Sequence, residues 1–208
     1  MEQKPLEITE IESFLHTHFK QTVSDVALLG KGEWSQAFSF RNLDNDYVIR
    51  FGLYSDDFKK DQIAAAYTAS DLSIPKVVEI GQALGRSFAI SERAFGNMLD
   101  GLDEPQMVQI VPAVFQMLDA MRMTDISSTS GYGNWNTKKI APYSTWQEYL
   151  LDAWNDPVTS RTYGWRASLQ NSPIGEAPFN KAFNVLKSLV EKCPKERYLL
   201  HTDLLHYN

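Results

Sequence analysis

Cysteine is nearly absent: Cys193 is the only one in 208 residues, so no disulfide framework can hold this chain together. No apolar run approaches the roughly 18 residues that cross a bilayer, and the opening MEQKPLEITE has no hydrophobic stretch that could serve as a secretion signal. No membrane partner and a reducing cytoplasm are therefore expected. Basic residues are outnumbered and scattered. The 20 Lys+Arg against 26 Asp+Glu leave a net charge of −6, which argues against a nucleic-acid partner, because neutralising phosphates needs clustered cations. An acidic balance tolerates a cationic ligand. What is plentiful excludes disorder: eleven Phe, nine Tyr and five Trp accompany a 43% hydrophobic content. Area scaling for a chain of this mass buries about 70% of the unfolded surface, enough for one large domain or two small ones.

The order of local signals is helix, three strands, helix, two strands, then helices. Thr9-Glu10-Ile11-Glu12 reads as a capping box, followed by Ile11, Phe14, Leu15 and Phe19 on one helical face. Residues 25–30, 36–41 and 47–52 are rich in β-formers and are separated by turn residues, which predicts three antiparallel strands. An alanine-containing, breaker-free run predicts a helix over 59–70, and residues 76–80 and 87–93 predict two more strands. Beyond Phe95-Gly96 the pattern turns helical. Asp103 is set to cap a helix with Pro105 at its start, and Pro112 is expected to kink or restart it. Residues 127–143 predict a long loop, Thr145 to Glu148 a second capping box, 179–191 a further helix and 197–200 an extended segment. The expected fold class is α+β. Its strand-rich half would be 1–95 and its helical half 96–208.

The most specific motif closes the sequence. His201-Thr202-Asp203-Leu204-Leu205-His206-Tyr207-Asn208 reads H-x-D-x-x-x-x-N. In a phosphoryl-transfer site this spacing lets the Asp orient the attacking hydroxyl while the Asn, five positions on, holds the metal bridging the nucleotide phosphates. The bland alternative is a strand end whose His and Asp bond the local backbone. Context raises the catalytic case. Such a site needs a glycine-bearing turn between its first two strands, a long cation on the third, and an acid on the next helix to fix that cation. Gly30, Gly32 and Ser35 lie in the first turn, Arg50 on the third strand and Asp61 on the helix after it, with Glu33 and Asp57 as alternative acids. A longer cation facing a shorter acid preserves the span of the lysine–glutamate pair of protein kinases, and a guanidinium can fork onto carboxylate or phosphate.

With these parts in order, the sequence resembles the aminoglycoside phosphotransferase family, whose catalytic loop typically runs HGDLHxxN. Supporting segments are Ala37-Phe38-Ser39-Phe40, Tyr47-Val48-Ile49-Arg50, Ile74-Pro75-Lys76-Val77, Thr129-Ser130-Gly131-Tyr132-Gly133 and Tyr143-Ser144-Thr145-Trp146, and the similarity runs from Leu6 to Asn208. The resemblance implies a protein-kinase-like fold, with an antiparallel nucleotide-binding lobe followed by a helical lobe. It implies ATP and Mg²⁺ as cofactors, and phosphoryl transfer to a hydroxyl of a cationic aminoglycoside of the hygromycin kind. It makes Asp203 the catalytic acceptor, His201 its support, Asn208 a magnesium ligand and Arg50 the phosphate-gripping cation. Ser91 to Ala94, including Arg93, becomes the linker that pairs with adenine. Thr202 departs from the family's usual glycine. The family's second acidic motif is expected beyond Asn208, so the resemblance implies a fragment of feeble or no activity. Two alternatives accompany it: a kinase for another hydroxyl, of the choline, homoserine, fructosamine or macrolide type, and a catalytically dead nucleotide-binding module.

Other residues have bland readings. His16 and His18 lie on the opening helix, and His206 beside His201 lacks the three or four ligands that zinc needs. Cys193 has no visible base partner. Trp146 and Trp154 are expected in the core, because no basic stripe interleaves them. Asp100, Asp103, Glu104, Asp152 and Asp156 could face a polyamine, with ordinary solvated carboxylates the favoured reading.

Overall fold

A computed structural model describes residues 4–21, 23–96 and 99–202, the side chain of Asp100 excepted. Asp203, His206 and Asn208 lie outside the described residues. The chain divides into two compact units: one runs to Thr124 and resumes at Leu199, and the other is Asp125–Tyr198.

The first unit opens with helix α1, Ile8–Phe19. Its N-cap is Glu7, not Thr9: the Glu7 carboxylate takes the amide of Glu10, and the Glu10 carboxylate takes that of Glu7 at 2.9 Å. The box is closed by two glutamates, so the hydroxyl that signals a cap in the sequence lies inside the first turn. Strands β1 (Val23–Lys31), β2 (Ser35–Asn42) and β3 (Asn45–Gly52) follow, then α2 (Ser55–Ala65), β4 (Val77–Ala83) and β5 (Arg86–Glu92). All pairings are antiparallel, in the spatial order β1-β2-β3-β5-β4.

Side-chain alternation assigns the two sheet faces. Phe38, Ile49 and Ile90 stand opposite one another across β2, β3 and β5, and with Phe40, Phe51 and Phe88 they are buried against Ile11 and Leu15 of α1. Each such burial contributes about 1.5–3 kcal/mol relative to exposure. The other face carries the row Ala37, Arg50, Ala89, flanked by the rows Ser35, Gly52, Ser87 and Ser39, Val48, Ser91. Small neighbours leave the Arg50 side chain unobstructed by adjacent strands. Helix α2 packs on this face, where Phe58 joins Val77, Ala89 and Ile80.

Helix α2 starts and stops earlier than the alanine run suggests. Asp56 and Asp57 fill its first turn, where carboxylates meet the positive end of the helix dipole. Beyond Ala66 the Thr68 hydroxyl donates to the Leu72 carbonyl at 3.1 Å and Ala69 bridges Leu72, which draws the backbone into a turn. Helix α3 (Glu104–Met123) is capped by Asp103 as expected, with Gln106 completing the box, but it runs through Pro112 as one helix rather than two. It has just over two turns before Pro112 and about three after it, so the loss of one amide donor is absorbed.

In the second unit, Thr145 caps the short helix α4 (Trp146–Leu151) through the Glu148 amide at 3.1 Å, while the Glu148 carboxylate takes the Ser144 amide. Helices α5 (Trp165–Gln170) and α6 (Ala177–Leu189) follow. The long loop before α4 is ordered by bridges from Ser130 to Ile140 and from Tyr132 to Tyr143. Arg197 clamps it, donating to the carbonyls of Thr129 at 2.9 Å and Gly131 at 3.2 Å. Residues 197–200 join no strand among the described residues. The tryptophans are not core residues as expected. Trp154 is exposed, and the Arg166 guanidinium lies 4.3 Å from its ring centroid and 4.9 Å from that of Trp165. A cation on the ring faces gives these indoles a partner without full burial. Among the described residues no helix is long and apolar enough to cross a membrane.

Candidate nucleotide site

Five residues of the first unit, drawn from the β1–β2 turn, β3 and α2, converge at one end of the sheet. The turn runs from Lys31 to Ser35 and is closed by the Gly32 amide donating to the Ser35 carbonyl at 2.9 Å. Gly30 pairs with Ala37 at the end of a register shift in β1. A Cβ added at Gly30 would meet nothing within 4 Å, and one at Gly32 only the Ser35 carbonyl oxygen at 3.8 Å. Neither glycine is demanded by packing among the described residues, and neither has a positive φ. Gly52 is different: a Cβ there would lie 3.1 Å from the Trp34 carbonyl oxygen and 3.3 Å from the Phe58 ring, so glycine is what lets the turn backbone lie close over the end of β3.

Directly below, Arg50 Nη2 donates to Asp61 Oδ2 at 2.5 Å, and the guanidinium lies 5.4 Å from the Phe58 ring centroid. The side chains of Arg50 and Asp61 are 33% and 41% exposed, an openness at which an ion pair adds little to stability. Of the alternative acids, Asp57 is 4.0 Å from Lys60.

At the far end of β5, Ser91 is buried between Val48 and Val77. The Glu92 amide donates to the Lys76 carbonyl at 3.0 Å and the Arg93 amide to the Asp46 carbonyl at 3.1 Å. The Arg93 guanidinium lies 4.7 Å from the ring centroid of Phe95, which is 71% exposed. His201 is exposed. Asp203 and Asn208 lie outside the described residues, and the described residues gather no group of three or more His, Cys, Asp or Glu able to hold a metal.

Three of the acidic residues that could face a polyamine make local hydrogen bonds. Asp103 caps α3. Asp156 takes the amides of Gly164 at 2.9 Å and Arg166 at 3.3 Å. Asp152 accepts from the Tyr143 hydroxyl at 2.5 Å and from Asn155 at 2.7 Å. These donors hold the Asp152 carboxyl below the usual carboxylate range, while the carboxylate beside it pushes the Tyr143 phenol up to about 12.

No protein-family model matches the chain. Among curated proteins, hygromycin-B 4-O-kinase from Escherichia coli is 34% identical over 205 residues, which is 98% of this chain and 58% of that protein. The crystal structure of a thermostable mutant of the aminoglycoside phosphotransferase APH(4)-Ia, in ternary complex with AMP-PNP and hygromycin B, matches with a TM-score of 0.81 at 31% identity, over 94% of this chain and 64% of that one. The chain has the aminoglycoside phosphotransferase fold. A second APH(4)-Ia structure agrees, with a TM-score of 0.78 at 32% identity over 91% of this chain and 62% of that one. Spectinomycin phosphotransferase APH(9)-Ia shares the fold alone, at 14% identity and a TM-score of 0.53 over 99% of this chain and 65% of that one. The chain thus spans less than two thirds of these phosphotransferases.

Sequence reasoning missed Trp34, Tyr54 and Phe58 around the glycine turn.

Proposed function

We propose that the chain is the nucleotide-binding part of an ATP-dependent phosphotransferase acting on a hydroxyl of a cationic aminoglycoside of the hygromycin kind. The observation that carries this is a glycine turn, not required by packing among the described residues, at the end of the strand that bears a half-exposed guanidinium bonded to a carboxylate. Packing among the described residues does not require Gly30 or Gly32, whereas a triphosphate lying against the turn amides would, because a side chain there would hold it off. Arg50 would grip the phosphates bidentately, and Asp61 holds it from the opposite side. The amides of Glu92 and Arg93 are engaged in the sheet, which moves the adenine contact of the 91–94 linker to Ala94. The division at 95/96 is then functional, with purine and phosphates held by the part before it.

Asp203 would orient the acceptor hydroxyl and take its proton as the γ-phosphoryl group transfers, with His201 supporting the loop. Magnesium, with Asn208 as ligand, belongs to the same proposal. The described residues supply no carboxylate set for it, so no step is drawn through the metal. The reaction is tested by prolonged incubation of the chain with γ-labelled ATP and hygromycin B, so that even a feeble transfer is read. Hygromycin-dependent transfer that Asp203→Asn abolishes supports the assignment, and transfer that persists in Asp203→Asn contradicts it.

A further inference from the structure

The glycine turn is held by more than its own backbone. Trp34 sits at its tip, and its ring lies 6.5 Å from that of Tyr54, tilted by 54°. This is within the range over which aromatic pairs attract. Tyr54 is the N-cap residue of α2, and its carbonyl accepts from the Asp57 amide at 3.3 Å. One turn further along α2 is Phe58, whose ring would lie 3.3 Å from a Cβ added at Gly52 and which underlies the Arg50 guanidinium, and the next residue on that face is Asp61. The turn tip is thereby tied to Tyr54, at the start of the same helix that carries Phe58 under the Arg50 guanidinium and Asp61 against it.

Both rings are partly exposed, Trp34 at 38% and Tyr54 at 37%, so neither is a core residue whose removal would collapse the fold. The turn they tether has glycine at two of the positions around its first strand end and one internal backbone bond at Gly32. Glycine leaves an untethered turn many conformations, and only those with the amides facing the phosphates bind. An interaction that favours the competent conformation raises apparent affinity by the fraction it adds to that state.

We propose that Trp34 and Tyr54 form an aromatic latch that fixes the glycine turn to the start of α2 and so sets the turn and Arg50 in one register for a nucleoside triphosphate. They are positioning residues that act through the turn amides. The inference rests on the nucleotide reading above. Because the latch orders the phosphate end alone, its loss weakens binding of ATP and leaves binding of adenosine unchanged.

The test is calorimetric titration of the full chain and of Trp34→Ala, Tyr54→Ala and Trp34→Phe with ATP and, separately, with adenosine, alongside thermal melts. An aromatic pair of ordinary strength corresponds to a loss of about 3- to 10-fold in ATP affinity for either alanine variant. Trp34→Phe restores most of it, and adenosine affinity stays constant throughout. Equal loss for ATP and adenosine, or unchanged ATP affinity in both alanine variants, overturns the latch while leaving the nucleotide site standing. An unsubstituted chain that binds neither ligand overturns the nucleotide reading and the latch together.

Discussion

Replacing Arg50 by alanine separates a structural ion pair from a ligand-gripping one. The Arg50 and Asp61 side chains are 33% and 41% exposed, and pairs this open contribute about 0–1 kcal/mol. The contact of the guanidinium with Phe58 adds about 0.5–1 kcal/mol at a partly exposed site. The total is at most about 2 kcal/mol, or a fall in Tm of no more than about 8 °C for a chain of this size. A charged donor to phosphate is worth about 1.5–3 kcal/mol, which predicts a loss of ATP affinity of about 10- to 100-fold. Asp61→Asn keeps the shape and removes the charge that orients the guanidinium, so its loss should be several-fold and smaller. Combining it with Arg50→Ala should add little, because the two residues act as one unit. Circular-dichroism melts and ATP titrations of the three variants provide the comparison. If Arg50→Ala lowers the Tm while ATP binds within twofold of the original affinity, the pair is structural and the reasoning fails.

Two further predictions concern the second unit. Tyr143 is neutral in the folded chain up to about 12, above its ordinary value of 10.0, because its hydroxyl donates to Asp152. The stability this adds is present below the unfolded value and is lost as pH rises through the folded one. Alkaline melts should therefore weaken between those two values and less so in Tyr143→Phe; identical profiles would show that the bond contributes nothing. Gly131 has φ +73°, and a Cβ there would lie 2.1 Å from the Ala141 carbonyl oxygen, so Gly131→Ala should disrupt the 127–143 loop and lower the yield of folded protein. Gly32→Ala, with only a 3.8 Å contact, should melt like the original chain while binding ATP more weakly. A Gly131→Ala protein with an unchanged Tm would contradict the packing.

Much of this was legible in the chain. Alternation in Phe38, Phe40, Ile49 and Phe51 betrays the buried sheet face, and the positions of Arg50 and Asp61, eleven residues apart across a strand–helix junction, were enough to suggest that they meet. What was misread has local causes. Alanines 64 to 66 invite a longer α2, yet Thr68 and Leu72 close a turn that no propensity scale registers. Proline at 112 interrupts one hydrogen bond without ending α3. The tryptophans read as core because no basic stripe interleaves them in the sequence, whereas Arg166 offers Trp154 and Trp165 a cationic partner near the surface. The aromatic tether of the glycine turn was invisible because Trp34 and Tyr54 are twenty residues apart with no periodic relation, and only the return of β3 brings them together.

The central claim is that a nucleoside triphosphate binds across the glycine turn, Arg50 and the end of β5. An amide chemical-shift titration of the labelled chain with ATP tests it most directly. The account predicts the largest perturbations at Gly30, Gly32, Ser35, Arg50 and Ala94. Perturbations confined to α5 and α6, or none at saturating ATP, would contradict it.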